Sequence, residues 1–175
     1  SDCFRRVDSM DSSTWKLHGA YARGVGMSSS VITGHNHTSF TVSDRERSVA
    51  FYTDVIGFTV DRIYELEGEA IGHIVAMPGA RLKMAHLTLD GFRLELIEYL
   101  VPKGEQPALP TCNVGVAHIA FNTDDVQSTY EVLKTKGVTF KGEPMRAAPD
   151  RPLACYFLDP DGITLELNEM SPSKH

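Results

Sequence analysis

The chain has 175 residues, enough for one domain with a substantial core or two very small ones. Lysine and arginine number 17 against 23 aspartates and glutamates, a net charge of −6, so a surface built for nucleic acid or anionic membrane is not expected. No run nears the roughly 18 consecutive apolar residues of a membrane span, and three distant cysteines (Cys3, Cys112, Cys155) without CxxC spacing argue against a disulfide framework or a structural zinc finger. The expectation is a cytoplasmic protein.

Residues 1–30 show no sustained period of 2 or 3.6 and read as an extension, either leader-like or disordered. A helical arm docking through Trp15, Leu17 and Tyr21 is the alternative. Regular alternation starts near Val31, and a single domain is expected over 31–170, followed by a tail at 171–175.

That domain is one unit written twice. His37, Phe40 and Asp44 recur as His118, Phe121 and Asp125 at a constant offset of 81. Asp90-Gly91-Phe-Arg-Leu94-Glu95-Leu96-Ile-Glu98 matches Asp161-Gly162-Ile-Thr-Leu165-Glu166-Leu167-Asn-Glu169 at six positions, all at an offset of 71. The first module spans 35–100, the second 115–169, and a Pro-rich joint (Pro102, Pro107, Pro110) separates them.

In chain order, an alternating strand (37–42; 116–122) ends at an aspartate suited to cap a helix. The helix follows with Val49, Tyr52 and Ile56, or Val126, Tyr130 and Leu133, on one face, and closes at Gly57 or Gly137. The first module inserts a short helix, Gly68 to Met77, with Ile71, Ile74 and Val75 on one face. Two strands then meet at Asp90-Gly91, a two-residue hairpin signal. The pattern is βαβββ twice, an α+β fold of two modules forming a curved mixed sheet around a central site.

Strand parity assigns the faces. His37, Ser39 and Thr41 share one side of the first strand; His118, Ala120 and Asn122 share the equivalent side in the second module. Glu95 lies with Arg93, Ile97 and Tyr99, opposite Phe92, Leu94 and Leu96, and Glu166 lies opposite Ile163, Leu165 and Leu167. A single His–Glu pair is usually structural, but the same pair at repeat-equivalent positions points to a site. Glu98 and Glu169 also recur, on the helix-side face, where solvation suffices. Two imidazoles and two carboxylates suit Zn, Ni, Co, Mn or Fe(II), with positions left for two substrate oxygens. Arg93 and Tyr99 are candidate substrate contacts, with structural roles as the alternative. His35 competes with His37 as ligand. His73 and His86 have no counterpart in the other module and read as structural or surface. The loop from Gly142 to Pro152 is either a solvated loop or a lid carrying Arg146 and Arg151.

His37-Thr-Ser-Phe-Thr-Val-Ser-Asp, Phe51-Tyr-Thr-Asp-Val-Ile-Gly57-Phe, Gly115-Val-Ala-His118-Ile-Ala-Phe and Asp159-Pro-Asp-Gly-Ile-Thr-Leu-Glu166-Leu resemble the vicinal oxygen chelate superfamily of glyoxalase I, methylmalonyl-CoA epimerase, extradiol dioxygenases and the fosfomycin and bleomycin resistance proteins. The resemblance implies paired βαβββ modules, a homodimer, and a divalent metal on His37, Glu95, His118 and Glu166. It also implies a glyoxalase- or epimerase-like isomerase or lyase acting on a small carbonyl or carboxylate compound, with Glu95 or Glu166 as base. An Fe(II) dioxygenase or a ligand-sequestering resistance protein are the alternatives. Glyoxalase I usually carries an Arg where Thr41 stands and an Asn where Tyr99 stands, both glutathione contacts. Methylmalonyl-CoA epimerases usually carry Gln in place of Glu95.

Overall fold

The computed structural model describes residues 31–169. The extension read at 1–30, with its docking alternative, and the tail at 171–175 lie outside the described residues. A compact unit begins at His35.

Each module opens with a short strand and a capped helix. In β1 (Thr38–Thr41) and β5 (Ile119–Thr123) the strand begins one residue after His37 and His118, so both imidazoles sit at a strand entrance rather than inside a strand. Asp44, in extended backbone, accepts the Arg47 N–H at 2.9 Å and starts α1 (Arg45–Phe51). Asp125 does the same for α3 (Val126–Thr135), taking the Ser128 N–H at 2.9 Å. The first helix widens into a π-helical turn over Tyr52–Ile56 and stops at Gly57, whose φ of 101° is a left-handed conformation that glycine adopts without steric cost.

The remaining strands are β2 (Thr59–Glu67), β3 (Arg81–Leu89) and β4 (Phe92–Val101), then β6 (Met145–Arg146), β7 (Leu153–Leu158) and β8 (Thr164–Glu169). They form two four-stranded mixed sheets, ordered β1-β4-β3-β2 and β5-β8-β7-β6, with β1 parallel to β4, β5 parallel to β8, and every other pair antiparallel. Asp90 and Gly91 both take positive φ (46° and 76°), as a type I′ turn requires. That turn sets the register of the β3–β4 hairpin: Leu87 faces Leu94 and His86 faces Glu95.

Leu94, Leu96, Leu165 and Leu167 are buried on the helix side of the two sheets, where they join Tyr52, Phe58, Val126, Tyr130 and Leu133 in one core. Burial of each such leucine contributes about 2 kcal/mol. Phe58 and Phe121 meet edge to face at 5.9 Å, carrying the core from one module into the other. The faces opposite this core, which bear the His–Glu pairs, therefore look away from it.

The Asp159-Pro160-Asp161-Gly162 turn clasps the modules together. Asp161 accepts the Ser43 N–H at 2.9 Å, the Ser43 hydroxyl at 2.6 Å and the Arg47 guanidinium at 2.5 Å. Asp159 accepts the backbone N–H groups of Asp161 and Ile163 at 2.9 and 2.8 Å, and the Tyr52 hydroxyl at 3.2 Å. The recurrent glutamates outside the site have similar structural partners. Glu98 accepts the Arg45 N–H at 3.0 Å, and Glu169 pairs with Arg146 at 2.9 Å. Arg146 of the 142–152 loop thus binds one of the protein's own carboxylates.

The inserted helix α2 (Glu69–Ile74) is shorter than its hydrophobic pattern suggests, and its buried face differs. Ile71 and Val75 pack on Ala80, Leu82 and Met84, but Ile74 is 76% exposed. The reason is local. The helix ends at Ile74, Ala76 reverses the chain with φ 55°, and Met77 takes the inward position.

Two stability measurements follow. Asp161→Ala leaves a backbone N–H, a hydroxyl and a guanidinium without their shared acceptor, and urea unfolding should register a loss of roughly 3 kcal/mol. Burial pushes the Asp159 carboxyl above its ordinary range. As pH rises from the unfolded value to that raised one, the unfolded chain has released this proton while the folded one has not, so stability falls over the window. Asp159→Asn should remove that part of the slope in unfolding curves collected between acidic and neutral pH.

Candidate metal centre

On β4 and β8 the alternation Leu-Glu-Leu puts the leucines in the core and the glutamates on the opposite face. In the parallel pairing, Ser39 lies beside Glu95 and Ala120 beside Glu166. Small residues there leave room for the imidazoles two residues earlier to lean over the carboxylates. His37 Nε2 lies 3.4 Å from Glu95 Oε1, and His118 Nε2 lies 3.1 Å from Glu166 Oε2. Both histidine side chains are over a third exposed, whereas those of Glu95 and Glu166 are 10% and 17% exposed.

The tautomer of His37 follows from its neighbour. Its Nδ1–H donates to Asn36 Oδ1 at 2.8 Å, leaving the Nε2 lone pair directed at a carboxylate oxygen. Two acceptors facing each other call for a positive centre between them, either a proton or a metal ion. Ligands bound at about 2.1 Å and at right angles are about 3.0 Å apart. Both His–Glu pairs lie close to that spacing, and the donor set of imidazole nitrogen and carboxylate oxygen suits a borderline divalent ion, so the residues fit the metal implied by the sequence.

The structure brings His37 to Glu95 and His118 to Glu166, but it does not gather all four in one chain. Among the described residues, the cluster of three or more potential ligands with donor atoms within 4.8 Å of one another is Asp44, Glu46 and Glu98, on the helix side. Those carboxylates are occupied otherwise. Asp44 caps α1, while Glu98 and Glu46 each form an ion pair with Lys83 at 3.4 Å. His35 is exposed, its Nε2 3.4 Å from the Thr38 hydroxyl, and makes no pair with Glu95.

Arg93 is partly buried opposite Thr88 at the hairpin end. Tyr99 packs on the Ala80–Leu82–Met84 cluster beneath α2 and, with Thr41, Lys103 and Gln106, lines a cavity of 240 Å³. On the second sheet, Glu166 and Tyr156 border a hollow of 320 Å³ whose rim carries Lys141 and Glu143.

His86, read from sequence as structural or surface, is in contact with the site. It is 5% exposed, and its Nε2 lies 2.8 Å from Glu95 Oε2. A signal was present: counting outward from a two-residue Asp90-Gly91 turn places residue 86 across from residue 95.

Residues 34–167 match the family model of the Glyoxalase/Bleomycin resistance protein/Dioxygenase superfamily, and the chain belongs to that superfamily. It is 32% identical over 144 residues to a 2-epi-5-epi-valiolone epimerase from an Actinomyces species, covering 75% of this chain and 76% of the epimerase. It is 31% identical over 147 residues to the lactoylglutathione lyase of Schizosaccharomyces pombe, spanning 79% of this chain but 48% of the lyase. Among solved structures, a glyoxalase family protein from Bacillus cereus superposes with a TM-score of 0.72 at 20% identity, covering 82% of this chain and 98% of that one. A fosfomycin resistance protein from Listeria monocytogenes gives 0.57 at 20% identity, covering 80% and 95%. At such identities the structures establish the fold. Among the described residues, no helix is long and apolar enough to cross a membrane.

Cys155, on β7, pairs with Leu167 and turns into the core, away from the Glu166 face. It is buried, and burial with the nearby Glu166 charge pushes its thiol up to about 11. A thiol-alkylating reagent at pH 8, mapped by mass spectrometry, should modify exposed Cys112 in the native protein and reach Cys155 only after unfolding.

Proposed function

We propose that this protein is a divalent-metal enzyme, an epimerase or lyase that moves a proton at a carbon beside a carbonyl of a small compound bearing vicinal oxygens. Each centre is assembled from the His37–Glu95 pair of one copy and the His118–Glu166 pair of a second copy. One observation carries this reading: two ligand-spaced pairs, repeated at equivalent positions, lie on faces directed away from a shared core. Neither pair alone supplies enough donors for a tightly held ion, and a two-fold dimer provides the missing half twice over.

His37, Glu95, His118 and Glu166 would hold a divalent ion, which when bound would supply Lewis-acid polarisation of the substrate carbonyl and so make the adjacent C–H more acidic. Glu166, the more open of the two glutamates, takes the proton from that carbon. Glu166 passes that proton to solvent, and a water on the other side protonates the opposite face of the same carbon to give the epimer. Glu95, held on its second oxygen by His86, stays in place as a ligand. The hollow at Glu166 receives the substrate, and Lys141 on its rim offers positive charge to a carboxylate or hydroxyl.

Thr41 and Tyr99 stand where glyoxalase I has its usual glutathione contacts, which favours a substrate without the tripeptide. The match to an epimerase over three quarters of both chains supports epimerisation over the lyase reaction. The free cysteines Cys112 and Cys155 fit a reducing, cytoplasmic setting.

Complementation tests the shared site. A His37→Ala/Glu95→Gln chain and a His118→Ala/Glu166→Gln chain should each fail to bind Co²⁺ tightly, while the co-expressed heterodimer regains one ion per two chains. Recovery of no ion in a folded heterodimer excludes a site built between copies. For the reaction, a panel of hydroxyketones and oxo-acids in D₂O should show enzyme-dependent deuterium incorporation by NMR with Ni²⁺, Co²⁺ or Zn²⁺ bound. Glu166→Gln should slow it by roughly 10²–10⁴-fold. Oxygen consumption with iron in place of exchange would instead indicate ring-cleaving chemistry.

A further inference from the structure

We propose that His86 is a positioning residue for the metal centre. With its tautomer set by Arg62, it fixes which oxygen of Glu95 is presented to the ion, making the first module's half-site the rigid one. The inference rests on the four-ligand reading above and adds a residue that has no counterpart in the duplicated pattern.

The arrangement follows from strand register. Arg62 on β2, His86 on β3, Glu95 on β4 and Ser39 on β1 form one transverse row across the first sheet. Adjacent members of such a row project on the same face, so their side chains can join in series. The Arg62 Nε–H donates to His86 Nδ1 at 3.3 Å. Because an arginine only donates, Nδ1 must be the acceptor, and the ring proton therefore resides on Nε2. That N–H donates to Glu95 Oε2 at 2.8 Å. The carboxylate is then left with Oε1 toward His37 Nε2, 3.4 Å away. With Nδ1 accepting, the Nε2–H is the donor, given mainly to Glu95 Oε2, with the Tyr64 hydroxyl oxygen as a second, longer acceptor.

The surroundings hold the ring still. His86 is buried, its ring lies edge-on to Tyr64 with centroids 5.6 Å apart, and the Tyr64 hydroxyl lies 3.1 Å from Nε2. The Arg62 guanidinium stacks over the Tyr64 ring at 5.1 Å, which fixes the arginine as well. A bidentate or rotated Glu95 would break the Oε2 bond and leave a buried imidazole N–H without its carboxylate, so a single ligating oxygen is favoured.

The second module is built differently at the same place. Across from Glu166 the register puts Tyr156, whose ring lies 5.2 Å from that of His118. A histidine donating to the carboxylate is replaced there by a phenol. The repeat has thus diverged at the position that decides how tightly each glutamate is held. The tethered carboxylate belongs to a constant ligand, and the other is free to exchange between ligand and base.

The test uses the full chain loaded with Co²⁺, read by chelator competition and by the visible absorption spectrum, neither of which depends on turnover. His86→Phe should weaken Co²⁺ binding by about 10- to 100-fold and alter the spectrum, as loss of a residue orienting a ligand does. His86→Gln, whose amide can still donate to Oε2, should stay within about tenfold of the parent and keep its spectrum. Arg62→Met, on the exposed edge strand, should shift affinity in the same direction as His86→Phe, and it decides the matter if the phenylalanine variant fails to fold. A folded His86→Phe protein with the parental spectrum, binding Co²⁺ within about twofold of the parent, overturns this inference while leaving the four-ligand reading intact. A parent that binds no Co²⁺ overturns both.

Discussion

A leucine on each side of a glutamate decides which face of each sheet carries the His–Glu pair. Leu94 and Leu96 around Glu95, and Leu165 and Leu167 around Glu166, are fully or almost fully buried, and strand alternation then forces each carboxylate onto the opposite face. Slipping either strand by one residue would expose two leucines and drive a carboxylate into the apolar core, a penalty of several kcal/mol that no partner there would offset. Position of the glutamates is therefore a by-product of the strongest packing preference in the fold. The histidines are set more softly. Both sit at strand entrances, held by contacts to neighbours such as Asn36 and Glu166.

The same packing explains why the two pairs remain separate within a chain. Both sheets turn their leucine faces into one core, stitched by the Phe58–Phe121 contact and by the Asp159–Asp161 turn that grips Ser43, Arg47 and Tyr52. Faces opposite a common core diverge. Stability of the single chain and separation of the half-sites thus have one cause, and the Asp-Pro-Asp-Gly segment that resembles a family signature serves that clasp rather than the ion.

Much of this was legible in the residues because it is local. Offsets of 81 and 71 exposed the duplication, parity assigned the two faces of each strand, Asp44 and Asp125 marked helix starts, and Asp90-Gly91 marked a hairpin. Three features were not. The faces of the two sheets diverge because of contacts between modules, which no window of sequence encodes. Ile74 reads as buried by spacing but is exposed, because the helix stops there and Ala76 turns the chain. His86 was passed over because it lacks a repeat counterpart. Repetition identifies what both halves share and is silent on where they have come to differ.

That difference bears on how a duplicated fold acquires direction. Two identical half-sites would hold an ion symmetrically and give neither glutamate a reason to leave it. Here one carboxylate is bonded through its second oxygen to a buried histidine, while the other borders a hollow and faces a tyrosine. In the proposed centre Glu95 would be the constant ligand, and Glu166, the less constrained carboxylate, would be the one free to act on a substrate. Beside a substrate, its free lone pair would meet the requirement for a base. In the proposed reading, inequality between the modules, more than their likeness, is what would turn a duplicated pair of half-sites into a proton-transfer site.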